Sequence, residues 1–344
     1  MDIALRKQQI LAAVIESYIA TGEPVGSKAL EHTEGFNVSS ATIRNELADL
    51  TNRGLLLQPH TSAGRVPSEL GYRYYVDNLM EKKPVGENVR QYIENRLQSS
   101  SDAPEHILKT ASAIVSELTN TASVATTPWG EDVRVHQIKF VQTGRYTSMV
   151  VLITSSGMVK SRLFRCDFDI TPPMLNVFDR ALNERLAGEP LSAVNQPFIQ
   201  TFAASFGELS LLMPDMLVAV MEVCREAAQV NAYLCGGTKL LYNTDMDFIS
   251  SRNAFEYLSD NSNRSKLLQN APEGTHIYIG RENAPMELKQ SSLITTGYEI
   301  GNQPAGAVAL IAPLRFNYAL AVSILEYTAK ITGELIDEII STGH

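Results

Sequence analysis

The stretch from Val38 to Arg73 restricts this chain more than any other. It opens with Ser39-Ser40-Ala41-Thr42-Ile43-Arg44-Asn45-Glu46-Leu47-Ala48-Asp49-Leu50, stops at Gly54, and continues as Leu55-Leu56-Leu57 into His60-Thr61-Ser62-Ala63-Gly64-Arg65. Ser39 stands where a helix cap belongs, its hydroxyl placed to accept from the amide of Thr42. Ile43, Leu47 and Leu50 share one helical face, while Ser40, Ala41, Arg44 and Asn45 share another. A slim face carrying an Arg for guanine and an Asn for adenine is what reading the DNA major groove requires. The free amides at the helix start suit phosphate. Before this helix, Leu11, Val14, Ile15, Tyr18 and Ile19 form an apolar stripe that Gly22 and Pro24 end. Ser27 can cap a short second helix, Lys28 to His32, with Ala29 and Leu30 facing inward, and Gly35-Phe36-Asn37 is the expected turn. Three helices followed at once by a turn-rich hairpin is the layout of a winged helix-turn-helix.

The hairpin makes this reading sharper than an ordinary amphipathic surface helix. Its tip is small, polar and turn-forming, with Arg65 just behind it. Such a wing can lie along the sugar-phosphate backbone or place an Arg in the minor groove. The expected DNA contacts are therefore Ser39, Ser40, Thr42, Arg44 and Asn45 on the reading helix. Lys28, His60, Thr61, Ser62, Arg65 and Arg73 are the expected backbone and wing contacts. Residues 1–80 carry seven Lys and Arg against nine Asp and Glu, so positive charge has to be localised rather than general. That distribution suits specific binding more than strong non-specific binding.

The chain has 344 residues and a formal net charge of -9, which implies two or three domains and excludes a globally basic nucleic-acid coat. Cys166, Cys224 and Cys235 are far apart and show neither metal nor redox spacing, so reduced, buried thiols in the cytoplasm are expected. Met1 to Lys7 lacks the apolar core of a signal peptide, and no run approaches the ~20 apolar residues that cross a bilayer. Phosphate loops and nucleophile elbows are absent from the sequence. Gly236-Gly237 reads as a strand-edge turn, Asp167-Phe168-Asp169 as solvated acids, and Met213, Met216 and Met221 as core filling. No catalytic residue, metal ligand or cofactor is expected.

Beyond Lys82-Lys83-Pro84-Val85-Gly86, which reads as a hinge, come helical segments with Val89, Tyr92, Ile93 and Leu97 on one face and another from about Pro104 to Asn120. Ile138 to Leu163 reads as strands, with Ser148 to Ile153 apolar enough to be central in a sheet. Thr171 to Ala232 is almost wholly helical: Leu175, Phe178, Leu182 and Leu186 form one stripe, and Leu209, Leu212 and Met213 precede a break at Pro214. Strands return at Cys235 to Tyr242, Thr275 to Gly280, Ser292 to Ile300 and Gly306 to Ile311, before a last helix from about Asn317 to Ile340. Strands, helical block, strands, helix suggests an α+β sheet domain interrupted by a helical insertion.

Residues 3–80 closely resemble the HrcA family of bacterial heat-inducible transcription repressors. The resemblance rests on Pro24-Val25-Gly26-Ser27, on Ser39 to Glu46, and on Ser62-Ala63-Gly64-Arg65-Val66-Pro67-Ser68-Glu69-Leu70-Gly71-Tyr72-Arg73-Tyr74-Tyr75-Val76-Asp77. It continues more loosely through Leu182-Asn183-Glu184-Arg185-Leu186, Gly236-Gly237-Thr238 and Gly301-Asn302-Gln303-Pro304-Ala305-Gly306. It implies a multidomain α+β chain: a winged-helix domain over 1–80, a linker and helix over 81–103, and a GAF-like domain in two parts, 104–170 and 251–344. An inserted dimerisation domain is expected over 171–250. It further implies a homodimer on double-stranded DNA, repressing chaperone operons at an inverted-repeat operator of the CIRCE type. A GroEL-type chaperonin is implied to keep the repressor active. The alternatives are a ligand-responsive transcription factor with the GAF-like domain as small-molecule sensor, and an interaction scaffold with a vestigial wing.

Overall fold

The computed structural model describes residues 4–31, 39–61, 63–100, 102–129, 133–207, 213–269 and 273–342. Gly35, Phe36, Asn37, Ser62, Leu209 and Leu212 lie outside them. Helix α1 (Leu5–Thr21) buries Ile10, Leu11, Val14 and Ile15, and Gly22 ends it in the left-handed region with φ 76°. α2 (Ser27–Glu31) follows, burying Leu30 but leaving Ala29 exposed, contrary to expectation. With five residues, α2 has a single inward position to offer. α3 (Ser40–Asn52) leads to two short antiparallel strands, β1 (Leu56–Leu57) and β2 (Val66–Pro67). α4 (Glu69–Asn78), capped by Ser68, folds back on α1.

The remaining elements, in order, are α5 (Glu87–Gln98), α6 (Pro104–Thr119), β3 (Ala122–Thr126), β4 (Val135–Gln142), β5 (Thr147–Thr154), β6 (Val159–Arg165), α7 (Pro172–Leu186), α8 (Gln196–Ala204), α9 (Pro214–Ala227), β7 (Ala232–Cys235), α10 (Thr238–Leu241), α11 (Phe248–Ser259), α12 (Asn261–Gln269), β8 (Thr275–Ile279), β9 (Ser291–Ile300), β10 (Gln303–Pro313) and α13 (Tyr318–Thr342). An antiparallel sheet of order β7-β3-β10-β9-β8 forms the middle of the fold. Its central strand is apolar on both sides, and successive side chains on a strand point to opposite faces. Val308, Leu310 and Ala312 join a core shared with α6 and α13. Ala307, Ala309 and Ile311 join a second core with Leu240, Leu258 and Leu268 from α10 to α12. The first of these cores runs on without a break into Ile10, Val14, Leu47 and Tyr72.

The expected boundary of the insertion changes. The strands of residues 135–165 are not part of this sheet; they form a separate antiparallel sheet of order β4-β5-β6. A core of its own joins Val150 and Leu152 to Leu175, Phe178, Leu182, Val220 and Val223. Both hydrogen-bonded neighbours of β5 lie next to it in sequence, so this meander needs no distant strand. β7 belongs to the five-stranded sheet, so the chain leaves that sheet after Thr126 and returns at Ala232. The excursion therefore covers about 127–231 rather than 171–250. α5 is the helix expected after the hinge, and its Ile93 and Leu97 are fully buried among α6 and α13. Cys235 to Tyr242, expected as a strand, splits into the end of β7 and α10. No helix among the described residues is long and apolar enough to cross a membrane.

The free edge of β4 is closed by side chains. Asn183 on α7 accepts from the Ile138 amide at 2.8 Å and donates to the Ile138 carbonyl at 2.7 Å. One turn earlier, Asp179 accepts from the Phe140 amide at 2.7 Å. An edge strand left open invites pairing with other chains, and here α7 occupies its hydrogen-bonding groups. Asn183→Ala is expected to lower unfolding stability by about 1–3 kcal/mol, because Ile138 then loses two partners at once. Its exposed neighbour Glu184→Ala should change it by under about 0.5 kcal/mol. Equal denaturant midpoints for the two variants would show that the edge is not held by Asn183.

Candidate nucleic-acid interface

The cap of α3 is formed as its sequence requires. Ser39 Oγ accepts from the Thr42 amide at 3.3 Å and lies 3.1 Å from Thr42 Oγ1. Ile43, Leu47 and Leu50 face the core, while Arg44 and Asn45 are exposed. Ser40 is half-buried and donates to Ser27 Oγ at 3.1 Å, which ties α3 to α2 and leaves Lys28 exposed beside them.

The hairpin is anchored on three sides. Leu56 pairs with Pro67 and Leu57 with Val66. Val25 exchanges both backbone hydrogen bonds with Arg65, at 2.9 and 2.8 Å. Gly64 permits that approach, since a Cβ there would come within 2.6 Å of the Pro24 and Val25 backbone. Gln58 Nε2 donates to the carbonyls of Thr61 at 2.9 Å and Ala63 at 3.3 Å, closing the tip. Arg65 Nε donates to Thr51 Oγ1 at 2.9 Å, so the hairpin is bound to the last turn of α3.

Between α3 and this hairpin lies an open groove of about 490 Å³. Lys28, Arg44 and Arg65 line it with Ser27, Gln58 and Thr61, and among the described residues no carboxylate does. The acids of α3 are turned the other way. Lys7 on α1 meets Asp49 at 2.5 Å and Glu46 at 3.6 Å, and Arg53 meets Asp49 at 2.8 Å. Hydrogen bonds from Lys7 and then Arg53 hold the Asp49 carboxyl below its ordinary range. A module with more acids than bases thus presents one face whose charged side chains, among the described residues, are cations.

The groove brings together Lys28, Thr61, Arg44 and Arg65; Asn45 is exposed on the same helix, and His60 is exposed at the hairpin. Ser62 lies outside the described residues. Arg73 is elsewhere. It is half-buried, donating through Nε to Glu282 Oε1 at 2.9 Å, through Nη1 to Asp77 at 2.9 Å, and to the Ile277 carbonyl. α4 lies against β8, so a basic side chain on it meets the sheet instead of the groove. Sequence reasoning missed Gln58, Thr51 and the Lys7–Asp49 pair, because a lone glutamine or threonine carries no spacing signal before the pairing register is known.

A family model for the HrcA protein C terminal domain matches residues 105–322. Over 335 residues the chain is 36% identical to the heat-inducible transcription repressor HrcA of Chromobacterium violaceum, covering 96% of this chain and 98% of that one. It is 32% identical over 346 residues to the protein of the same name in Syntrophobacter fumaroxidans, covering 98% of each. The chain belongs to the HrcA family. A crystal structure of a hypothetical protein has a similar fold, with a TM-score of 0.66 at 21% identity over 98% of this chain and 100% of that one. The HrcA family model begins downstream of the groove, so likeness around the groove comes from the full-length HrcA relatives.

Two outcomes are expected from the way α3 is held. Ser39→Ala should cost about 1 kcal/mol of stability, the usual loss when a hydroxyl cap is removed. A lowered Asp49 pKa contributes stability above the ordinary value of 3.8 and loses it as pH falls further. Lys7→Met should therefore flatten the fall in Tm below pH 3.8; an unaltered acid limb would remove this pair from the account.

Proposed function

We propose that this protein is a homodimeric winged helix-turn-helix repressor that binds double-stranded DNA at an inverted-repeat operator of the CIRCE type. The observation that carries the reading is the groove between α3 and the hairpin in which Lys28, Arg44 and Arg65 meet, with no carboxylate among the described lining residues. Exposed Arg44 and Asn45 near the start of α3 have the chemistry to pair with guanine and adenine edges. Lys28, Thr61 and Arg65 supply backbone contacts from either side. The winged module is followed by a GAF-like domain built on the five-stranded sheet, and the second body supplies the dimer contact. Two-fold protein symmetry then matches two-fold operator symmetry.

The family relatives are described as heat-inducible, and a chaperonin-dependent switch accounts for that response. In this reading a GroEL-type chaperonin maintains the active fold, and heat diverts it. Exposed apolar side chains at Tyr242, Phe248 and Ile249, 84%, 70% and 69% accessible, are of the kind such a chaperone engages.

Binding of the purified protein to a CIRCE-like inverted repeat and to a scrambled duplex, at fixed salt, with and without chaperonin, tests both halves. A preference for the repeat that chaperonin strengthens is the expected result. Equal weak binding to both duplexes in every condition would return the protein to the ligand-gated or scaffold readings. Arg44→Ala is expected to cost ~1–3 kcal/mol and to relax preference at one operator position. Arg65→Ala should weaken binding to all sequences alike and reduce the salt slope by about one.

A further inference from the structure

Besides the core they share, the winged module is tied to the sheet domain by polar grips at two separated points. At the first, the guanidinium of Arg73 is gripped by both carboxylate oxygens of Glu282 and donates to the Ile277 carbonyl. Beside it, Glu69 Oε2 accepts from the Arg281 amide at 3.1 Å. Gly280, at φ +56°, makes room, since a Cβ there would come within 2.4 Å of the Glu69 carboxyl carbon. At the second, Arg315 donates to the Ile19 carbonyl at the end of α1 at 3.0 Å, while Asp245 holds the same guanidinium at 2.8 Å through two oxygens. Between the points, Tyr72 packs against Tyr318 with ring centroids 5.8 Å apart. A bidentate carboxylate grip fixes direction as well as distance. With grips at both ends, the module cannot turn about the segment 81–86 that connects it to α5.

We propose that Arg73 is a positioning residue whose grip by Glu282 sets the spacing between half-sites that the dimer accepts. The inference rests on the DNA-binding reading above. A module free to swing would let a dimer span several spacings, whereas a fixed module presents α3 at one separation. Arg73 thus acts on DNA through geometry, at a distance from the groove.

The test uses the full chain and duplexes in which two inverted half-sites are separated by spacers differing by single base pairs. The wild type should show one preferred spacing. Glu282→Gln, which keeps an oxygen for the Ile279 amide that Glu282 now accepts from at 2.8 Å, should retain the half-site sequence preference. It should bind the neighbouring spacings roughly tenfold closer to the optimum, the change expected when one charge-assisted hydrogen bond is lost. An unchanged spacing profile would overturn the proposal. A second readout needs no DNA: deuterium exchange at the Arg281 amide, which bonds across the joint. Arg73→Met and Glu282→Gln should each speed it by roughly tenfold, and the double variant should be no faster than the faster single. Additive effects would show that the two residues do not act as one clamp. If the wild type itself has no half-site preference, the DNA reading fails and the spacing role with it, and the exchange data still judge the joint.

Discussion

The pairing of β3 with β10 is the interaction on which the rest of the structure depends. Val308 faces Ala125 and Ile311 faces Ala122 across an antiparallel ladder whose strands lie more than half the chain apart. Side chains reinforce it: Ser123 donates to the Ala309 carbonyl at 2.8 Å, and Tyr298 donates to the Thr126 carbonyl at 2.8 Å. β10 is buried on both faces, so the ladder organises two helical layers at once. Closing so long a loop is entropically costly, but that cost grows only slowly with length. The burial gained on both faces of β10 is what offsets it.

Charge placement is the second organising principle, and composition conceals it. A net charge of -9 argues against DNA for the chain as a whole. The structure sorts the charges locally instead. Asp49 and Glu46 are drawn to Lys7 on the α1 side, and the Glu69 carboxylate accepts from the Arg281 backbone amide. Among the described residues, the charges left between α3 and the hairpin are Lys28, Arg44 and Arg65. Each acid that finds an internal partner is one fewer to repel phosphate. The same internal pairing claims Arg73, which is why a basic residue in a highly family-like motif is absent from the groove.

Much of this was legible in the residues. The Ser39 cap, the inward face of Ile43, Leu47 and Leu50, and the stripe from Leu175 to Leu186 follow from local spacing, and local spacing was enough. Strand identity was legible in part: β5 is central as its apolar run suggested, whereas Cys235 to Tyr242 holds α10 and β3 was not among the expected strands. Strand partnership was not: nothing in Ser148 to Ile153 says whether its neighbours are near in sequence or far, and the boundary of the excursion moved accordingly. Arg73 and Arg65 looked alike as basic residues flanking a wing. Only the packing of α4 on β8 separates them, and that packing depends on residues some two hundred positions away.

The excursion leaves and rejoins the sheet side by side at a neck. Thr127 donates its amide to the Asn231 carbonyl at 2.8 Å, and the Asn231 amide returns to Thr127 Oγ1 at 2.9 Å. Just beyond, the Trp129 amide donates to the Ala305 carbonyl at 2.8 Å. The two crossings are therefore bonded to each other, and away from them Lys160 on β6 also meets Glu105 on α6 at 2.7 Å. Adjacent ends are what allow a separately cored unit to interrupt a sheet without disturbing its register. The geometry also divides labour. If the second body forms the dimer, the neck and the Arg73–Glu282 joint lie in series between the two-fold axis and α3. Slack at either would reach the DNA as uncertainty in half-site separation. Fixing only one would leave the other to dominate, which is a physical reason for both joints to be hydrogen-bonded through backbone groups.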